Sequence, residues 1–196
     1  VRSRIPGLLR SLAVAVGEDL FRGVRHVLVN VIGGSALTTR PLRYLIYRAV
    51  GMDIRTPGIF DGCIFSGRRH VRIGAGSFVN RACYFDSAGP ITIGEHTDVG
   101  MCVLFVTATH RRTDRGFDHR STALPIVIGD RCWIGARATI LPGVAIADDV
   151  VIAAGAVVAR DCPVPGLYAG VPARLIRPRG AGGAAGAAGT PFQEAR

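Results

Sequence analysis

Between Ile128 and Pro163, aliphatic and small residues return every six positions without a break. The hexads read Ile128-Gly-Asp-Arg-Cys-Trp, Ile134-Gly-Ala-Arg-Ala-Thr, Ile140-Leu-Pro-Gly-Val-Ala, Ile146-Ala-Asp-Asp-Val-Val, Ile152-Ala-Ala-Gly-Ala-Val and Val158-Ala-Arg-Asp-Cys-Pro. In each, the aliphatic residue and the small residue four later face inward. The sixth residue lies between two inward positions on one strand and points outward. Such a period predicts an all-β solenoid, a parallel β-helix with three hexads per coil. Looser hexads precede it: Ile73-Gly-Ala-Gly-Ser-Phe and Val79-Asn-Arg-Ala-Cys-Tyr, then a two-residue slip after Phe85. Ile93-Gly-Glu-His-Thr-Asp, Val99-Gly-Met-Cys-Val-Leu and Phe105-Val-Thr-Ala-Thr-His restore the register. The count gives about five to six coils at the usual ~4.8 Å strand separation. From Arg111 to Val127 the pattern stops, and so long an interruption inside a regular tube reads as a functional loop.

The first 50 residues follow another period. Leu8, Leu9, Leu12, Val16, Leu20 and Val24 recur near helical spacing. Gly33-Gly34-Ser35 breaks that run, and Pro41 opens a second helix carrying Leu42, Leu45, Ile46 and Val50. These helices are expected to cap the open end of the tube, because a solenoid needs terminal caps. A cationic helix touching a membrane surface is the alternative. The Gly/Ala run 180–189 has nothing to pack and predicts disorder. The expected organisation is a helical cap at 1–52, a β-helix at 53–179 with the loop 111–127, and a disordered tail at 180–196.

Composition narrows the function. A chain of 196 residues, 48% hydrophobic, can build one cored domain. It holds no apolar run long enough for a membrane span, and its arginine-rich start with Glu18 and Asp19 is no secretory signal. A cytoplasmic protein is therefore expected. The net charge of +10 comes from arginine alone. Nucleic acid, anionic membrane and phosphate-bearing small molecules all suit it, but scattered arginines with few aromatics and no binding module speak against nucleic acid. The five cysteines form no C-x-x-C pair, so zinc-knuckle and dithiol motifs are absent. Cys83, Cys102, Cys132 and Cys162 fall on the small-residue position and read as inward-facing fillers.

His110 and Trp133 both occupy the outward sixth position. A histidine there, at the mouth of the interruption, is poorly explained as core; it is a solvated surface residue or a reactive one. Asn80 breaks the small-residue position of its hexad, and Asp86 marks the slip; each either caps a turn or meets a ligand. Outward Leu104, Val151 and Val157 form an apolar stripe that calls for a partner.

These residues resemble the hexapeptide-repeat acyltransferases, most closely the sugar O-acetyltransferases that act on galactosides, maltose, nodulation factors and capsular polysaccharides. The resemblance runs from about Ile59 to Arg177. It is carried by Thr107-Ala-Thr-His110, Ile128-Gly-Asp-Arg-Cys-Trp-Ile-Gly-Ala-Arg-Ala-Thr-Ile-Leu-Pro-Gly143, Ala153-Ala-Gly-Ala-Val-Val-Ala-Arg-Asp161 and Ala169-Gly-Val-Pro-Ala-Arg-Leu-Ile-Arg177. It implies a left-handed coil, an exception to the right-handed rule for parallel crossovers. It also implies an acetyl-CoA-dependent O-acetyltransferase of a sugar or glycosylated metabolite, without a metal. His110 would be the catalytic base, and Asn80 and Asp86 would contact the acceptor. Trp133 would lie beside the pantetheine arm, with Ala136, Ala154, Ala159, Arg160, Arg174 and Arg177 along coenzyme A. The three arginines suit its phosphates. Some relatives carry Ser, Thr and Lys in place of Ala136, Ala159 and Arg160, so side-chain hydrogen bonds are lost there. Family members are trimers with the site between subunits, which would bury the stripe and bring His110 to a neighbour's Trp133.

The chemistry asks for a base. A hydroxyl attacking a thioester must lose its proton as the C–O bond forms, and imidazole titrates in the useful range. The tetrahedral intermediate needs an oxyanion donor, for which a backbone N–H is the expected source. Competing readings are an N-acyltransferase on an amino sugar or antibiotic, a γ-type carbonic anhydrase on His96, His110 and His119 (whose spacing does not match that family), and a non-catalytic scaffold. Serine acetyltransferase is disfavoured, since its long helical N-terminal domain does not fit in 50 residues.

Overall fold

A computed structural model describes residues 5–67, 71–114 and 116–180, with side chains outside 5–13 and 119–121. The hexads wind into a left-handed parallel β-helix of about five turns. Its first face stacks Asp53–Ile54, Val71–Ile73, Ile91–Ile93, Ile126–Ile128 and Ala145–Ile146. The second face stacks Phe78–Val79, Asp98–Val99, Trp133–Ile134, Val150–Ile152 and Gly166–Ala169, and ends on the antiparallel strand Arg174–Pro178. The third stacks Ile64–Phe65, Tyr84–Asp86, Leu104–Val106, Thr139–Ile140 and Val157–Val158.

Stacking in register puts like side chains on top of one another. Ile54, Ile73, Ile93, Ile128 and Ile146 form one buried column. Phe65, Phe85 and Phe105 form another, their rings parallel at 4.6 and 4.7 Å between centroids, a separation that favours aromatic pairing. Ile73 pairs with Ile93, 20 residues on, whereas Ile128 pairs with Ile146, 18 residues on. The two extra residues sit at the third corner, where the chain passes from third face to first, and they are the slip seen after Phe85.

The corners need left-handed backbone. Among the described residues, six non-glycine residues supply it, including His96, Arg131 and Cys102, with φ between +52° and +61°. Cys102 is thereby corrected: it is half-exposed in a turn, and Val103 after it faces inward. Cys83, Cys132 and Cys162 are buried, and burial pushes the Cys162 thiol up to about 11.

Helix α1 spans Ile5–His26, a π-helical turn follows over Val27–Ile32, and α2 covers Arg40–Ala49. The π turn and α2 close the tube. Val29 and Tyr47 are fully buried, and Tyr47 meets Phe65 edge-on at 5.3 Å. Arg43, 2% exposed, donates to the carbonyls of Ile59, Ser35 and Thr38 at 2.8–2.9 Å and to that of Gly33, so its charge is solvated by main-chain dipoles. The expectation that both helices cap the tube is corrected for α1. Every residue from Val14 to Val24 is exposed, because the π turn and α2 already cover the apolar end.

The interruption is a β-hairpin, Ala108–Thr113 against Gly116–Ala123. The chain leaves the coil after buried Thr107 and has rejoined it at Ile126, which pairs with Ile91, so the excursion is shifted toward the N-terminus of 111–127. Residues 181–196, nearly all of the predicted tail, lie outside the described residues. Among the described residues, no helix is long and apolar enough to cross a membrane.

Candidate active site

The hairpin's root is clamped before His110 is reached. The buried Thr107 hydroxyl donates to the Asp86 carbonyl and accepts the Gly89 N–H at 2.9 Å. The Asp86 carboxylate accepts the N–H groups of Thr107 and Ala108 on Oδ2, at 3.2 and 2.9 Å. Its Oδ1 accepts the Ser66 hydroxyl at 3.5 Å. The chain is thus fixed two residues upstream of the histidine.

His110 stands on the first hairpin strand, opposite Ser121. Its exposure comes from the hairpin, not from the hexad alternation, which ends at Thr107. The ring Nδ1 lies 2.9 Å from the Asp118 carbonyl oxygen across the hairpin. A carbonyl only accepts, so Nδ1 carries a proton, and in the neutral ring Nε2 presents a lone pair. This is the tautomer that a proton acceptor requires.

Asn80 and His110 sit at opposite edges of the third face. Asn80 Oδ1 accepts the Arg81 N–H at 2.8 Å, and its main-chain carbonyl accepts the Cys63 and Cys83 thiols at 3.3 Å each. Between these edges the third face turns outward Ile64, Tyr84 and Leu104, 42%, 37% and 42% exposed, in one register column with Thr139 and Val157. Of the stripe read from the sequence, Leu104 and Val157 belong to this column, while half-buried Val151 pairs with Trp133 on the second face.

Half-buried Trp133 projects from the second face, away from His110. Ala136 and Ala154 stack in successive coils at the next corner, where the Gly155 N–H donates to the Ala136 carbonyl at 2.9 Å. Arg174 and Arg177 are exposed on the last strand of the same face. Ala159 and Arg160 are exposed at the third corner of the last full coil. One chain therefore brings together Trp133, Ala136, Ala154 and the two terminal arginines, but neither His110 nor Ala159 and Arg160 with them.

Thr107, Ser66 and the Asp118 carbonyl are site elements that the sequence reading did not single out. Thr107 was legible in the Thr-x-x-His spacing; a main-chain carbonyl carries no signal at all. A cleft of about 380 Å³ opens at the same third corner, lined by Phe21, Arg22, Arg25 and His26 of α1 with Ser66 and Gly67. His96 lies in a turn between first and second faces, away from the His110 hairpin, and the His119 side chain lies outside the described residues. Among the described residues no three His, Cys, Asp or Glu side chains converge.

The hexads and the hairpin-borne histidine define a hexad-built β-helix, and comparison with known proteins narrows the class. The model for the hexapeptide repeat of succinyl-transferase matches residues 125–160. The solved hexapeptide-repeat acetyltransferase of Vibrio cholerae O1 biovar eltor, complexed with acetyl coenzyme A, is 30% identical with a TM-score of 0.69, covering 82% of this chain and 88% of that one. A maltose O-acetyltransferase from Clostridium difficile 630 is 27% identical with a TM-score of 0.65, covering 80% and 85%. The galactoside O-acetyltransferase of Escherichia coli (strain K12) is 34% identical over 114 residues, 58% of this chain and 56% of that protein. The chain belongs to the hexapeptide-repeat acetyltransferases. It spans only about half the length, 55%, of the first curated relatives that it matches, which come from Staphylococcus aureus.

Proposed function

We propose that the chain is an acetyl-CoA-dependent O-acetyltransferase that acetylates a hydroxyl of a sugar or glycosylated metabolite. The observation that carries this reading is the His110 tautomer: the bond from Nδ1 to the Asp118 carbonyl leaves Nε2 free to take a proton. His110 removes the acceptor's hydroxyl proton as the oxygen attacks the thioester carbonyl, and the C–S bond breaks to release the CoA thiol. Transfer is direct, within a complex of both substrates. The V. cholerae relative's bound acetyl coenzyme A supports this donor, and the galactoside and maltose enzymes support a saccharide acceptor.

The donor runs along Trp133, Ala136 and Ala154, where small side chains leave backbone groups accessible to pantetheine. Arg160, Arg174 and Arg177 hold its phosphates. Asn80 and the outer oxygen of Asp86 contact the acceptor, whose further rings extend toward the cleft beside Ser66. Because one chain separates His110 from Trp133, the working site forms between subunits, across the apolar third face of a homotrimer.

The test is release of free thiol from acetyl-CoA against saccharide and amine acceptors. His110→Ala should lower turnover by roughly 10²–10⁴-fold, the usual contribution of a positioned base, with the fold intact by circular dichroism. Turnover that survives the substitution removes His110 from the chemistry. Activity confined to amines moves the assignment to N-acyl transfer.

A further inference from the structure

Helix α1 presents its apolar side to solvent. Arg22, Arg25 and His26 turn toward the coil and line the cleft, and Arg25 donates to the Gly67 carbonyl at 2.6 Å. On another side, Val16, Leu20, Val24 and Val27 follow one another at helical spacing, and Val31 continues the run in the π turn. They are 64%, 67%, 51%, 46% and 57% exposed. Leu37 at the same end of the tube is 94% exposed, and Leu42 and Leu45 of α2 are 50% and 60% exposed. Single exposed apolar residues are ordinary, but a stripe of them marks a contact surface.

Charge selects the occupant. Arg40 and Arg48 of α2 are exposed at this end of the tube, and only two of the 14 acidic residues stand in the first 50 positions. Those two acids, Glu18 and Asp19, lie 3.3 and 3.6 Å from Arg22. A second copy docking here would bring the same cationic segment against itself. Lipid phosphates bring the opposite charge and attract each nearby arginine. The helix is too short of apolar residues to span a bilayer, so a lipid contact here would run along the surface.

We infer that α1 and the π turn dock the protein on an anionic lipid surface, with the Val16–Val31 stripe in the headgroup boundary and the exposed Arg40 and Arg48 of α2 drawn to phosphates. The docking is independent of acyl transfer, so failure of either reading leaves the other standing. The test is flotation of the full chain with phosphatidylcholine vesicles, with and without phosphatidylglycerol. Vesicles containing phosphatidylglycerol should bind at least about tenfold more protein, and added salt should weaken binding. Leu20→Asp with Val24→Asp should lower binding by at least about tenfold with an unchanged unfolding temperature, since both side chains are exposed. Arg40→Gln should weaken it about fivefold. The inference is overturned if the wild type does not float with anionic vesicles, if the double variant floats equally well, or if neutral vesicles bind as much. A double variant of altered oligomeric mass, beside a wild type that ignores vesicles, would instead assign the stripe to a second copy.

Discussion

The proton on His110 Nδ1 is held by an atom the sequence does not encode, the main-chain oxygen of Asp118. The hairpin supplies it, and the hairpin is anchored in turn by Asp86. The sequence marked Asp86 as an acceptor contact; the fold shows Oδ2 engaged with two main-chain N–H groups. Hydrogen bonds to a charged group are worth about 1.5–3 kcal/mol each, so this carboxylate fixes where the hairpin begins. Asp86→Asn, which keeps the shape and removes the charge, should loosen that anchor. We expect kcat to fall roughly ten- to hundredfold, as for a catalytic group moved by a fraction of an ångström to an ångström, with the KM for acetyl-CoA unchanged. Steady-state kinetics with each substrate varied checks this; a rise in acceptor KM alone would restore the simple binding role.

Among the elements, the corners of the solenoid are held by charge as well as by turn geometry. Arg131 lies 3.0 Å from Asp149 and 3.3 Å from Asp148, and Arg179, just past the last strand, pairs with Asp149. Arg131 above all holds the Asp149 carboxyl below its ordinary value of 3.8; loss of solvation opposes it, and Arg179 adds a further lowering. A depressed carboxylate stabilises the fold above its unfolded pKa and loses that effect as pH falls through the folded pKa. The stability difference between wild type and Asp149→Asn should therefore be full at neutral pH and vanish below pH 3.8, and it should shrink in salt. Thermal unfolding across pH and ionic strength measures it. The helices show the limit of pattern reading at this scale: periodicity found both, but not that the π turn and α2 would fill the tube's end and leave α1 outside.

For the molecule as a whole, the third face is decisive. Ile64, Tyr84 and Leu104 stack outward between the edges that carry Asn80 and His110. A self-associating protein would cover such a column, and the proposed trimer would complete the site in doing so. Leu104→Glu should convert the trimer to monomers in sedimentation and abolish thiol release, while the β-helix circular dichroism signal persists. A monomeric wild type would remove the intersubunit site. A trimeric variant that keeps its activity would move the interface elsewhere.

The sequence by itself determined the coils, the three faces and the inward columns. Each coil stacks on its neighbour, so every radial position must repeat the same kind of residue, and a periodic constraint is written in periodic letters. The Thr107-x-x-His110 spacing and the Trp133 position were legible for the same reason: they are departures from, or outward members of, a known phase. Only the tertiary structure decided the His110 tautomer, the anchoring role of Asp86, the turn position of Cys102 and the fate of α1. These depend on main-chain atoms and on which surfaces other segments have already covered, and neither leaves a periodic trace along the chain.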